Sequence, residues 1–116
     1  VENVPEPYPF LLKSVEHFQK FYEEMDENVG LALDIGHANI NGQIAAFIES
    51  FADKLTHIHA HDNCGESDEH LGIGCGTVNW KETIKLLRKI GYDGIMVVES
   101  ISHVHESVDN LRKLLV

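Results

Sequence analysis

The sequence predicts an α/β fold built from four consecutive parallel β/α units. Three observations carry that expectation. Extended segments alternate with helical apolar stripes four times over 116 residues, the pattern of parallel strands joined by helical crossovers. One segment, Ile95-Met96-Val97-Val98-Glu99, is a near-continuous apolar run, which suggests burial on both faces as in a parallel sheet. Each extended segment also carries an ionisable residue near its end: Glu2, Asp34, His59 and Glu99. In parallel α/β folds the carboxyl ends of the strands are where function collects. No internal sequence repeat underlies the alternation.

The first unit opens with Val1-Glu2-Asn3-Val4, a short extended segment closed by Pro5, Pro7 and Pro9. On residue chemistry alone, Glu2 reads as a solvated terminal charge. A helix is expected from about Phe10 to Met25, where Leu11, Val15, Phe18, Tyr22 and Met25 recur at three- and four-residue steps. Asp26-Glu27-Asn28 and Gly30 end it.

The second unit begins with Gly30 to Gly36, read as a buried strand. Leu31, Leu33 and Ile35 face one way; Ala32, Asp34 and Gly36 face the other. A carboxylate at the end of an apolar strand is costly unless paired or bound to a cation, which makes Asp34 a functional candidate. His37 is placed where the strand gives way to a loop. From Asn41-Gly42 a helix runs to about Asp53, with Ile44, Phe47, Ile48 and Phe51 as its apolar face.

The third unit holds the densest chemistry. Five of the eight histidines are grouped here: His57, His59, His61 and His70, with His37 expected nearby in space. Leu55 to Ala60 reads as a strand that Asp62-Asn63 ends. Alternation puts His57, His59 and His61 on one face, with Ile58 and Ala60 on the other. Three histidines on one face are hard to bury without partners, so they line a polar cavity or a solvated edge. A loop over 62–78 follows, with Asp68-Glu69-His70 and then Gly74-Cys75-Gly76. Imidazole and carboxylate at a strand end, with a second His/Asp pair in the next loop, suit a borderline divalent metal such as zinc, manganese or iron. A helix from Asn79 to Ile90 completes the unit. Asn79 and Glu82 have capping-box spacing, and Trp80, Ile84 and Leu87 form the stripe.

Gly91 stops that helix, and Asp93-Gly94 turns the chain into the strand at 95–99. The last helix is expected from Val104 to Leu115, with Val108, Leu111 and Leu115 inward. His103 and His105 stand near its start, where the helix dipole disfavours a cation, and read as neutral surface residues.

Composition bounds the function. Hydrophobic residues make up 43% and charged residues 24%, the balance of a soluble globular domain. No run approaches the ~18 apolar residues of a membrane span. Val1-Glu2-Asn3 opens into polar sequence without a signal-peptide pattern. It also lacks an initiator Met, so the chain reads as processed or as a piece of something longer. Nineteen acidic against nine basic residues give a net charge of -10, which repels phosphate backbones and argues against nucleic-acid binding by this segment. Bound cations would offset part of that charge locally. Cys64 and Cys75 share one Gly-rich loop and match no zinc-finger spacing; reduced thiols in a cytoplasmic protein are expected.

LDIGH at 33–37, the spaced histidines with HDN over 57–63, DEHLGIGCG at 68–76 and VVES at 97–100 resemble the xylose-isomerase-like (β/α)8 TIM-barrel superfamily. That superfamily includes sugar isomerases and epimerases and the endonuclease IV group. The resemblance covers nearly the whole chain but only the second half of such a barrel, which typically has ~250 residues. It implies a single partial domain over 1–116, the C-terminal half-barrel, from the fifth strand onward. It also implies that Glu2 is a metal ligand rather than a bland terminal charge. With Asp34, His59 and Glu99 it would form a Glu-Asp-His-Glu site for a divalent metal: Mn, Zn, Mg or Co. In the endonuclease branch, residues matching His37, Asp68 and His70 bind a further zinc; in the isomerases the counterpart of His37 more often contacts substrate. The trio therefore stands as a substrate or second-metal site. Where the family commonly has a glutamate between two glycines, this chain has Cys75. The first four strands lie outside the chain, and a free half-barrel would expose two sheet edges and its inner face. A longer parent chain or a homodimer is expected to complete it.

The expected function is that of a metal-dependent isomerase or epimerase of a small sugar or related polyol. By resemblance to the epimerases, Glu2 and Glu99 would be the catalytic acid/base pair that moves a proton next to a metal-polarised carbonyl. Two alternatives stay open: an endonuclease IV-type zinc phosphodiesterase, and a non-catalytic half-barrel.

Overall fold

Asp34 ends the first strand by capping the helix behind it. Its Oδ1 accepts the His37 backbone N–H at 2.8 Å, which satisfies one of the donors a helix start leaves free. The expected strand over 30–36 is therefore shorter. In the computed structural model, which describes residues 1–5 and 11–116, β1 spans Leu31–Asp34 and α2 spans Ile35–Ile40. His37 lies on that helix, not in a loop. The other elements are α1 (Val15–Glu24), α3 (Ile44–Ser50), β2 (Leu55–Ala60), α4 (Trp80–Lys89), β3 (Ile95–Val98) and α5 (Val104–Leu115).

The described residues form a parallel sheet in the order β1-β2-β3. Three strands are found where four were expected. The segment before Pro5 makes a single parallel bridge, Glu2 to Ala32. Beyond it Asn3 takes over with its side chain: Oδ1 accepts from Asp34 N at 2.7 Å and Nδ2 donates to Asp34 O at 3.0 Å. An amide side chain offers one acceptor and donors in the geometry of a peptide group, so it stands in for a ladder rung.

Register sorts the two faces of the sheet. Leu33, Ile58 and Met96 lie abreast, and so do Asp34, His59 and Val97. The Leu33 face is covered by helices, and Leu31, Leu33, Ile58 and Ala60 are fully buried there. The other face carries the histidines and has no layer over it among the described residues. For that reason the expected two-sided burial of the last strand is not observed: Ile95 is 59% and Val97 38% exposed.

The helices follow their stripes with adjustments at the ends. α1 starts at Val15 because Ser14 Oγ accepts from His17 N; Leu11 is 84% exposed and outside the stripe. Pro7, Pro9 and Phe10 lie outside the described residues. α3 starts at Ile44, later than Asn41, since Asn41 caps the end of α2 instead. Phe47 meets Phe18 of α1 edge-on, with centroids 5.6 Å apart. Asn79 caps α4 through Glu82 N at 3.1 Å, and Trp80, Ile84 and Leu87 are buried as expected. On α5, Leu111 is buried and Val108 half-buried, but Leu115 is exposed. Leu114 packs inward in its place, in phase with Ser107, which is buried to accept a hydrogen bond from Ile73 N at 3.0 Å.

Candidate metal centre

Parallel strands place their carboxyl ends in one row, and the row here carries two adjoining clusters. The first joins Glu2, Asp34, His59 and Glu99. One ligand-type atom from each lies within 4.8 Å of all the others. His59 is at the centre. Its Nδ1 is 2.8 Å from Glu2 Oε1, 3.4 Å from Glu99 Oε1 and 4.0 Å from Asp34 Oδ2. Register explains the convergence: Asp34 pairs with His59 across β1 and β2, and Glu99 N donates to Ala60 O at the end of β3.

One imidazole nitrogen can donate to one carboxylate, so two of the three acids around it are left without that proton. Among the described residues, none of the ion pairs at these acids involves a lysine or arginine. Asp34 is fully buried, and its Oδ2 has no hydrogen-bond partner. A buried, unpartnered carboxylate oxygen facing two more acids and an imidazole fits a divalent cation.

The second cluster holds the trio singled out from sequence together with a residue it had not assigned to a site: His37, His61, Asp68 and His70. Asp68 is shared between two rings, with Oδ2 3.1 Å from His37 Nε2 and Oδ1 3.2 Å from His70 Nε2. Each ring is oriented from behind by a carbonyl. His37 Nδ1 donates to Asn3 O and His70 Nδ1 to Glu99 O, both at 2.8 Å. Burial lowers the pKa of His70, but the Glu99 carbonyl and the Asp68 carboxylate outweigh it and hold the ring above the usual imidazole value. His61 is fully buried and stacks on His70.

The three histidines of β2 and its end thus meet three fates. His57 is exposed, His59 joins the first cluster and His61 the second. Alternation had put His61 beside His59, which was the available signal for it. Two supporting residues carried none. Asn3 serves both clusters through Asp34 and His37, and Asp62 anchors the loop that bears Asp68 and His70. Cys64 and Cys75 are exposed, free, and in neither cluster. No helix among the described residues is long and apolar enough to cross a membrane.

The model of a family described as xylose isomerase-like TIM barrel matches residues 1–115. An uncharacterized protein of Methanocaldococcus jannaschii is 39% identical over 104 residues, covering 86% of this chain and 36% of that protein. A ketose 3-epimerase of Arthrobacter globiformis is 38% identical over 85 residues, covering 71% of this chain and 27% of the relative. The crystal structure of a D-tagatose 3-epimerase-like protein superimposes with a TM-score of 0.90 at 36% identity, covering 98% of this chain and 45% of that one. The chain therefore spans less than half the length of each of these relatives.

Proposed function

The chain belongs to the xylose isomerase-like TIM-barrel family, and from that premise we propose that it forms the metal-binding half of an isomerase or epimerase acting on a small sugar or related polyol. The observation that carries this reading is the Glu2, Asp34, His59 and Glu99 cluster, with four ligand-type atoms within 4.8 Å and a buried, unpartnered Asp34 Oδ2. The names of two relatives, a ketose 3-epimerase and a D-tagatose 3-epimerase-like protein, support the substrate class.

A divalent ion held by these four residues would supply Lewis acidity toward a carbonyl oxygen. The chain's own groups do the rest. Asp34 is fixed by Asn3 and by the α2 N-terminus, so it presents Oδ2 without rearrangement. Glu2 and Glu99 are the half-exposed acids of the cluster, open to a substrate on the uncovered face. One carboxylate removes the proton from the carbon next to the carbonyl and the other returns one. The remaining strands, from a longer chain or a second copy, would close the other side of the pocket.

The test is solvent deuterium incorporation next to the carbonyl of a ketose, followed by NMR on the metal-loaded, full-length protein. Glu99→Gln is expected to slow exchange by roughly 10²–10⁴-fold with the fold intact; an unchanged rate counts against the assignment. The second cluster favours one rival, an endonuclease IV-type phosphodiesterase, because adjoining metal sites suit phosphate ester hydrolysis. The net charge of -10 opposes it. Cleavage of an abasic-site duplex, with no exchange on any ketose, would move the assignment there.

A further inference from the structure

Asn3 is fully buried, one residue after Glu2 and two before Pro5. Asparagine is a poor strand residue, because its short amide competes with the backbone for hydrogen bonds. Here the amide does so at the end of β1. Oδ1 accepts from Asp34 N at 2.7 Å and Nδ2 donates to Asp34 O at 3.0 Å, both in the interior. The Asn3 carbonyl accepts from His37 Nδ1 at 2.8 Å. One residue therefore holds Asp34 by its N–H and its C=O, orients the His37 ring, and is the direct chain neighbour of Glu2.

A longer strand would have satisfied the backbone equally well. The side chain allows something else, which is for the strand to stop at Glu2. The bridge from Glu2 to Ala32 is isolated, and Val4 N has already turned to Leu12 O at 3.1 Å. The main chain thus leaves the sheet where the first cluster begins, and the Asn3 amide keeps the departing segment in register with Asp34. That register places two of the acids. Glu2 Oε1 is 2.8 Å and Asp34 Oδ2 4.0 Å from His59 Nδ1. The Asp34 side chain has no freedom to correct an error in its backbone position. It is buried, and its Oδ1 is engaged by His37 N at 2.8 Å. A slip between residues 3 and 34 is therefore passed on to the spacing of Glu2 and Asp34.

We infer that Asn3 is a positioning residue: its carboxamide sets the spacing of Glu2 and Asp34 and so governs how tightly the first cluster holds a divalent cation. Groups that hydrogen-bond the ligands of a metal act in this way, by fixing the orientation of what they hold. The inference rests on the cation reading of the first cluster and not on the identity of a substrate.

Manganese binding to the full-length protein is titrated by electron paramagnetic resonance, with Asn3→Ala beside the unsubstituted protein. The variant should bind manganese roughly 10–100-fold more weakly. A role in stability alone would lower the melting temperature of metal-free and loaded protein together and leave the affinity of the folded protein unchanged; that result overturns the inference. A measurement on the unsubstituted protein guards against a variant that does not fold. In hydrogen exchange without metal, the Asp34 amide should be among the slowest to exchange, as a donor held by a buried side chain is. Exchange as fast as in an exposed loop overturns the inference too. Neither measurement uses a sugar. An unsubstituted protein that binds no manganese removes the cation from the first cluster and this role with it, whereas an absence of ketose exchange counts only against the epimerase reading.

Discussion

The indole N–H of Trp80 donates to Asp62 Oδ2 across 2.9 Å, in the interior. The same carboxylate takes three backbone donors: Asn63 N and Val78 N on Oδ1, Gly74 N on Oδ2. The backbone of Asp62 pairs with Leu71 in both directions. One side chain thus clamps both ends of the loop that carries Asp68 and His70. Asp62→Ala would leave four donors without their acceptor. Unsatisfied buried donors cost about 1–3 kcal/mol each before relaxation, so a loss of about 3 kcal/mol or more is expected in urea unfolding. Trp80 is the sole tryptophan, and its emission should shift to the red in the folded variant. An unchanged midpoint would show that the backbone alone holds the loop.

Gly36 is required by a close approach. A side chain there would collide with the His61 ring, which belongs to a strand end 25 residues further on. Gly36→Ala is therefore expected to destabilise by about 1–3 kcal/mol through overpacking. Calorimetry checks this; a neutral change would mean that His61 has room to move.

Three carboxylates gathered on His59 repel one another, and a bound cation would offset that repulsion. Binding to the folded state alone raises stability by about 2.7 kcal/mol when the free ion stands at 100 times its dissociation constant. Melting temperature should rise with added manganese or zinc and fall with chelator. The rise should be smaller in Asp34→Asn, which removes the buried charge. A melting temperature indifferent to both additions would remove the cation from the first cluster.

Cys64 offers a check on the loop electrostatics. The Glu69 carboxylate beside it, then slight desolvation and a hydrogen bond to Glu69, push its thiol above the ordinary value. A raised pKa means less thiolate at neutral pH and slower alkylation. Glu69→Gln removes the largest cause, so iodoacetamide should modify Cys64 several-fold faster, with Cys75 as the internal reference. Peptide mass spectrometry reads both sites; an unchanged Cys64 rate would show that Glu69 does not govern it.

Much of this arrangement was legible in the chain. The strand and helix periodicities, the Asn79 cap and the extent of α5 follow from interactions within four residues, which a linear pattern records. Asp34, His59 and Glu99 were legible as well, since an ionisable side chain closing an apolar run stands out. Glu2 was not, because a charge near the start of the chain reads as a solvated one; only the family resemblance singled it out, and the bridge to Ala32 sets it in the row.

What the sequence by itself determined is which residue types stand at the strand ends and which face of each strand they share, because β alternation has a period of two and needs no knowledge of neighbours. Tertiary structure decided the rest. Asp34 became both a helix cap and a cluster member because α2 folds back at that point. Ile95 and Val97 stayed exposed because their face has no covering layer among the described residues. His61, Asn3 and Asp62 acquired their roles from partners 12 to 34 residues away. Contacts at that separation depend on how strands and loops are brought together in space, and no local periodicity encodes them.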